Sequence, residues 1–588
     1  MSAKQERQPD EVGTEAGAKA AADNYPHGIK LALIMGSSYL SMFLVALDRL
    51  IVTTAIPKIT DDFQSVTNVG WYGSAYLLTN CAFQLFFGKL YSLYSIKAVF
   101  LVSILFFEVG SAVCGAAPNS TAFIVGRAIA GLGSAGIFSG SISIMVYSVP
   151  LHRRPFYQGL FGAIFGLANV ISPLLGGAFT DSAATWRWCC ASRLLLLPLP
   201  YPPIRGCRNR WLIITTRGFS AVYINLPLGA FSIVCIYFLL HIRDQQIAPL
   251  PLRQKLVKLD GPGVIALLGG VVSLLLALEW GGTTYAWSNG RIIALLVVAI
   301  LLFVAFAAIQ IRWPDTATVA PRIFSQRSIL TASTSMFFTG AAMMTTFYYL
   351  PIWFQAIQGV SAVQSGIRLL PLVIGQALGS LAGGVAIQKL GYYTPVMLLS
   401  IVFMTAGSGL LTTLQPDTAE GKWIGYQIPF GVGLGVTMQA PLLAAQTVLE
   451  RADVPIGTSL MFFTQLLGGS IFVSIGQNLF NNYFVRYLRG TPGVDMSTIL
   501  EQGATSITSI PEPTKGVVVS AYNEALRKVF IAGVVMAALT FVSAAGMEWK
   551  SLKKPAPKAD VESSTKGTGG VTTDGSTAGT LSGKNEEK

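Results

Sequence analysis

Apolar runs bounded by a few polar or charged residues recur along almost the whole chain. They lie near residues 30–57, 71–92, 96–116, 121–147, 157–180, 222–241, 261–281, 291–311, 329–356, 366–388, 393–414, 423–448, 455–480 and 528–547. A helix needs about 20 apolar residues to cross a bilayer, so the pattern predicts about fourteen spans. An even number returns the C-terminus to the side of the N-terminus. The connecting segments alternate in charge. With the N-terminus inside, the inner segments hold Lys97, Arg153, Arg154, Arg243, Arg253, Lys255, Lys258, Arg312, Arg322, Arg327, Lys389 and Arg451, followed by Lys550, Lys553 and Lys554. The outer segments 116–121, 355–366 and 414–421 carry almost no basic residue. That is the positive-inside pattern of a multi-pass membrane protein. The polar ends, 1–27 and 551–588, read as disordered cytoplasmic tails. The N-terminus lacks the basic-then-apolar order of a cleaved signal, so the first span is expected to serve as the targeting element.

Composition agrees. Of 588 residues, 52% are hydrophobic and 12% charged, against about 25% charged in soluble domains. The fold class expected is an all-α polytopic membrane protein. The net charge of +13 sits in short loops between spans, which explains it as orientation in the bilayer, with no nucleic-acid partner expected. Cys81, Cys114, Cys189, Cys190, Cys207 and Cys235 make no metal-spaced pair, and neither a metal site nor a disulfide framework is expected. The three histidines, His27, His152 and His241, lie in a tail, a loop and a span end and do not cluster as an enzyme would require.

Two charges break the first run: Asp48 and Arg49. An acid at mid-membrane costs about 2.5–3.5 kcal/mol on insertion scales, so an ionisable residue there is a candidate functional site. The structural alternative is that Arg49 pairs with its neighbour Asp48, or reaches outward to the interface. A second feature is repetition. Gly88 to Lys97 closes the second run, and Gly384 to Tyr393 closes the tenth. Gly88 aligns with Gly384 and Ser95 with Gly391, while Pro57 and Val66–Val69 upstream align with Pro351 and Val360–Val363. Parallel repeats of this kind are a mark of secondary transporters.

Three loops stand apart. Between Cys189 and Val222, on the outer side, five arginines flank Leu194–Leu197 and a proline-rich stretch, which suits neither a span nor an ordinary connector. The segment from Asn481 to Arg527 is long, with a short helix expected near Val517–Lys528. Asn119-Ser120-Thr121 is an N-glycosylation acceptor pattern in a loop too short to favour modification.

Taken together, the motifs resemble those of the major facilitator superfamily, and within it the fourteen-span drug:proton antiporter branch of fungi, whose members export toxins and secondary metabolites. The resemblance rests on Leu47–Pro57 (with Leu50 in place of a threonine), Trp71–Thr79, Phe87–Phe100, Gly126–Gly140, Pro173–Cys189, Tyr349–Gln355, Gln446–Val448 and Asp453–Thr458. It runs from about residue 30 to 548. It implies two pseudo-symmetric six-helix bundles, 30–241 and 329–548, joined by a linker 242–328 with two extra helices, and tails 1–29 and 549–588. Similar chains run directly from the Trp186–Cys189 motif into Tyr223–Pro227, so 190–222 reads as an anomalous insertion or a retained intron.

The resemblance also implies roles. Asp48 would bind and release a proton, and Arg127, buried on the fourth span and in need of an anionic or carbonyl partner, would assist. Gly126, Gly131, Gly133, Gly136 and Gly140 would let a neighbouring helix approach. Gly88, Lys89 and Lys97 belong to a gating motif, in which Ser92 stands where an acid is usual; the lysines would then meet helix-end carbonyls or lipid phosphates. Gly166, Pro173, Gly176 and Gly177 belong to an antiporter motif, with Ser172 expected to satisfy a carbonyl freed by Pro173. Phe83, Gln84, Tyr348, Trp353, Gln355, Gln439, Phe462, Phe463 and Gln465 are candidates for the substrate cavity. The expected activity is efflux of a lipophilic small molecule, driven by the proton gradient without a cofactor, by a monomer in the plasma membrane or in a vacuolar or vesicle membrane. The alternatives are an importer or vacuolar transporter of an iron chelate or basic amino acid, and, more remotely, a membrane enzyme or receptor.

Overall fold

The predicted spans fold as helices whose ends carry recognisable caps. The computed structural model describes residues 25–63, 69–181, 225–240, 251–282, 284–489 and 514–553. In the first half the helices are α1 (Gly28–Phe63), α2 (Val69–Leu93), α3 (Ile96–Ala116), α4 (Ser120–Ser148), α5 (Arg154–Asp181) and α6 (Asn225–Leu239). The linker holds the short α7 (Leu252–Lys258), then α8 (Gly261–Trp280), α9 (Gly290–Arg312) and the single turn α10 (Pro321–Phe324). The second half comprises α11 (Arg327–Gln358), α12 (Ala362–Arg368), α13 (Leu370–Leu390), α14 (Thr394–Leu411), α15 (Glu420–Thr437), α16 (Ala440–Val448), α17 (Val454–Leu488) and α18 (Thr514–Ala545). Asn119 caps α4 by accepting from the Ala122 amide, Asp260 caps α8 through Gly263, and Asn289 caps α9 through Arg291. Gly359 and Gly391 close α11 and α13 in the left-handed conformation. Two predicted spans are each built from two helices, α12 with α13 and α15 with α16; Pro371 and Pro441 sit in the first turns of α13 and α16, where a proline has no amide to lose.

Ten of the described helices are long and apolar enough to cross a membrane, and α6 is a shorter apolar helix. The expected spans outside that group are α2, α5 and α11. All three bury polar residues inside the protein: Asn80, Gln84 and Lys89 on α2, Arg154, Gln158 and Ser172 on α5, and a run of serines and threonines on α11. Their polarity faces other helices, so it does not argue against a membrane position. The order of helices is consistent with fourteen spans. One expectation is corrected: the short helix near Val517–Lys528 is the first part of α18, which runs unbroken from Thr514 to Ala545. The anomalous segment 190–222 lies outside the described residues.

The packing repeats. In the first half α3 packs on α4, α2 on α4, α1 on α5 and on α6, and α3 on α6. In the second half α14 packs on α15, α13 on α15, α11 on α17 and on α18, and α14 on α18. Each pair has its counterpart when α1–α6 are matched in order to α11, α13, α14, α15, α17 and α18. The two largest contacts between halves also correspond: α2 against α17, and α13 against α5. At the first, a β-carbon on Gly88 would lie 3.0 Å from the Pro455 carbonyl oxygen; at the second, one on Gly384 would lie 2.5 Å from that of Pro155. The glycines that aligned in the sequence thus occupy equivalent crossings, where only a hydrogen fits.

The linker hairpin α8–α9 packs on α2 and α17 through α8, while α9 buries little of its surface against the protein. Its end is pinned by buried Asp260, which accepts from the Gly263 amide at 3.0 Å, Gln310 at 2.6 Å, and the Thr318 amide and hydroxyl at 3.0 and 2.9 Å. Arg322 forks onto Asp453 ahead of α17 at 2.6 and 3.0 Å, and that bond holds the guanidinium's pKa above its ordinary value.

Candidate functional site

Asp48 on α1 and Arg127 on α4 form an ion pair inside the first half. Arg127 Nη1 donates to Asp48 Oδ2 at 2.6 Å, and both side chains are only 2% exposed. Arg127 Nε donates to the Tyr72 carbonyl at 3.0 Å, and its guanidinium lies 4.4 Å from the centre of the Tyr76 ring. Leu47, Ile51, Tyr72, Cys114 and Phe123 surround the pair with apolar surface. The α4 glycines set its depth by admitting two neighbours: Gly126 and Gly133 meet Cys114 and Phe107 of α3, while Gly131 meets Tyr76 of α2. Removing one partner of a buried pair costs about 3–5 kcal/mol because the other charge is stranded.

Arg49 follows neither structural alternative. Asp48 is engaged by Arg127, and Arg49 turns into the protein, where Nη2 lies 3.6 Å from the Met344 sulfur on α11. There it lines a cavity between the halves. Phe138, Phe161, Phe165 and Phe462 line it, with Met343, Met344 and Met438, and with the amides Gln84, Gln376, Gln439 and Gln465. Buried Gln84 has no hydrogen-bond partner for either amide atom, and the side-chain oxygens of Gln376 and Gln439 have none.

Of the nine candidate cavity residues, Gln84, Gln439, Phe462 and Gln465 line this cavity. The other five are placed elsewhere. Phe83 packs edge-on to Phe86. Tyr348 is 46% exposed and packs edge-on to Tyr349. Trp353 is fully buried and donates to Asn523 on α18 at 2.7 Å. Gln355 donates to Ser365 at 3.1 Å. Phe463, next to a lining residue, is buried and does not line the cavity. Successive helical residues are about 100° apart, so a lining residue does not by itself bring its motif neighbours into the cavity.

The residues of the expected gating motif sit at helix ends. Lys89 donates to the Ala317 carbonyl at 2.5 Å, in the loop after α9, and Lys97 lies over the Tyr237 ring of α6. A loop carbonyl and an aromatic face therefore replace the helix-end carbonyls and phosphates expected. Gly166 abuts Ala377 of α13. The Ser172 hydroxyl reaches the Ala168 carbonyl at 2.6 Å and the Leu47 carbonyl at 3.3 Å. It thus ties α5 to α1 beside Asp48, whereas the carbonyl that Pro173 frees is that of Asn169. The side chains at Pro173, Gly176 and Gly177 lie outside the described residues. Asn119 acts as a helix cap.

Glu108 on α3 was not singled out from the sequence, although it too is an acid inside an apolar run. It is 4% exposed, packs against Gly229 of α6, and neither carboxylate oxygen has a hydrogen-bond partner. Among the described residues no cluster of potential metal ligands occurs.

The family model described as the Major Facilitator Superfamily matches residues 38–196. The chain is 47% identical, over 90% of both chains, to the MFS-type transporter VdtG of Byssochlamys spectabilis. It is 44% identical to the rubrofusarin-specific efflux pump aurT of Gibberella zeae, over 90% of this chain and 91% of the other. It is 43% identical to the efflux pump aflT of Aspergillus parasiticus, over 91% and 98%. Among solved structures, the human organic anion transporter MFSD10 superposes with a TM-score of 0.52 at 13% identity, covering 87% of this chain and 99% of that one. The proton:xylose symporter XylE gives 0.53 at 12%, covering 89% and 98%. At such identities the structures establish the shared fold alone.

Proposed function

The chain belongs to the major facilitator superfamily and is a multi-pass membrane transporter of the efflux-pump kind, not an enzyme, and from that premise we propose that it exports a lipophilic small molecule in exchange for protons. The observation that carries the reading is the ion pair Asp48–Arg127, buried next to Arg49 and the central cavity. A proton arriving at Asp48 weakens its hold on Arg127, whose guanidinium then depends on the Tyr72 carbonyl and the Tyr76 ring. The pair is therefore a two-state element that protonation biases. Alternating access then follows from rocking of the halves about the crossings α2–α17 and α13–α5. The aromatic and methionine-lined cavity suits a planar apolar ligand with a few polar groups. The relatives' names point to secondary metabolites, rubrofusarin among them, and the substrate proposed here is of that class. The protein would act as a monomer in the plasma membrane.

The test is transport by the purified full chain in inside-out vesicles with an acidic lumen. Two-ring aromatic acids and their neutral analogues serve as probes. Accumulation that collapses when nigericin abolishes the pH gradient is the expected result, and weak acids would not accumulate in an acidic lumen passively. Uptake indifferent to the gradient would overturn proton coupling.

A further inference from the structure

Among the described residues that line the central cavity, Arg49 is the only charged one. Its sequence neighbour Asp48, the nearest candidate counter-ion, is already held by Arg127 at 2.6 Å. The contact resolved for the Arg49 guanidinium is the Met344 sulfur at 3.6 Å, a weak acceptor that cannot balance a charge. A guanidinium keeps its proton in proteins and pays several kcal/mol when removed from water without a partner. Charged groups kept inside membrane proteins face a cavity when that cavity receives something that pairs with them. A second observation is independent of the first. Gln84, on α2 and lining the same cavity, is buried with both amide atoms lacking any hydrogen-bond partner. Buried polar groups are almost always bonded, so Gln84 is a donor and acceptor held ready for a ligand. Phe138, Phe161, Phe165 and Phe462 line the cavity with them.

From this arrangement we propose that the transported compounds are acidic aromatics, bound with an ionised oxygen, carboxylate or phenolate, on Arg49, a second polar group on Gln84, and the ring system among the phenylalanines. The guanidinium fork matches a carboxylate with two parallel hydrogen bonds and a phenolate with one. The inference rests on the reading of the cavity as the substrate site. It is separate from proton coupling at Asp48, which concerns the other side of the same α1 turn. It also has an energetic consequence. An anion leaving as a proton is taken up moves charge in one direction, so an inside-negative membrane potential adds to the pH gradient as a driving force.

The experiment measures equilibrium binding to the purified full chain in lipid nanodiscs at pH 7.5, without any gradient. The probes are 2-naphthoate and its neutral isostere 2-naphthamide. The wild-type protein is expected to bind the acid at least about tenfold more tightly. Arg49→Gln should erase the preference by weakening the acid and leaving the amide unchanged. Arg49→Lys should keep a reduced preference, since it retains the charge but loses the fork. Thermal unfolding of each variant identifies any that fail to fold, and the wild-type acid-to-amide ratio decides without them. Equal or weaker binding of the acid, binding of neither probe, or a preference that survives in folded Arg49→Gln each overturns the proposal. If the acid preference holds but gradient-driven uptake is absent, proton-coupled export fails and the anion site stands. If uptake is gradient-driven but both probes bind alike, the reverse is true.

Discussion

The two halves of the molecule share a packing plan and divide the chemistry. Helix pairs in α1–α6 recur in α11 and α13–α18, down to the glycine at each crossing between halves. The first half nevertheless buries Asp48, Glu108 and Arg127 within its spans, with Arg49 facing the cavity. The second half is tied together by neutral hydrogen bonds: Trp353 to Asn523 at 2.7 Å, Tyr349 to the Val473 carbonyl at 2.8 Å, and Ser400 to Thr437 at 3.0 Å. Packing symmetry therefore does not impose chemical symmetry. A rocking mechanism needs both halves to fit each other, but only one needs to sense protons.

The largest effects are expected where that division is sharpest. Asp48→Asn preserves shape and an acceptor for Arg127 but cannot change charge. It should fold and reach the membrane, and gradient-driven export should fall by about two orders of magnitude or more, within the range seen when a proton-transfer group is removed. Normal export by a well-expressed variant would show that the first half's acid is not the sensor. Arg127→Ala strands Asp48 in apolar surroundings and should cost about 3–5 kcal/mol of stability as well as export. Arg127→Lys keeps the charge, loses the bond to the Tyr72 carbonyl, and should retain partial export. Equal, full activity in both variants would reduce Arg127 to a packing residue. Unfolding midpoints alongside vesicle uptake separate the outcomes.

The glycine pair sharpens the comparison from the packing side. An alanine β-carbon at Gly384 would run into the Pro155 carbonyl at 2.5 Å, a backbone atom held by its helix. At Gly88 the nearest atoms are the Ser459 hydroxyl at 2.6 Å and its β-carbon at 2.7 Å, with the Pro455 carbonyl at 3.0 Å. The hydroxyl can turn aside, but the β-carbon moves only with its helix. Overpacking costs about 1–3 kcal/mol, so Gly384→Ala and Gly88→Ala should each lower export by up to about tenfold. Cysteine cross-linking across each crossing would report whether the conformation described here is lost. A larger effect at Gly88 would mean that the two crossings do not bear equal loads.

How much of this was legible in the sequence follows from the range of each signal. Span positions depend on local hydropathy, and all fourteen predicted runs correspond to helices or helix pairs. The repeat glycines were legible because an absent side chain leaves a fixed spacing. Asp48 and Arg127 were each legible as charges in apolar runs, but their pairing joins α1 to α4 and is set by tertiary packing. The same limit explains the cavity. Which of two adjacent residues faces inward depends on helix rotation, so Phe462 lines the space while Phe463 does not, and Trp353 serves the α11–α18 interface. Arg49 was misplaced for a related reason: pairing with its neighbour is the simplest expectation until a remote partner is seen to occupy Asp48. Glu108 carried the same signal as Asp48 and was legible by the same rule.

The smallest effect on export should come from a neutral bond of the second half. Trp353 is fully buried and its indole donates to Asn523, which also donates to the Leu414 carbonyl at 3.2 Å. Trp353→Phe removes one neutral bond and leaves the Asn523 oxygen unsatisfied, at a cost of about 1–3 kcal/mol. None of these groups changes charge, and none lines the cavity. Below its lowered unfolding midpoint, the variant should therefore export at the wild-type rate with the wild-type dependence on the pH gradient. Asp48→Asn should show the opposite signature, with stability near wild type and coupling gone. If Trp353→Phe instead altered the pH dependence, the second half would take part in proton sensing, and the division of labour between two similarly packed halves would fail.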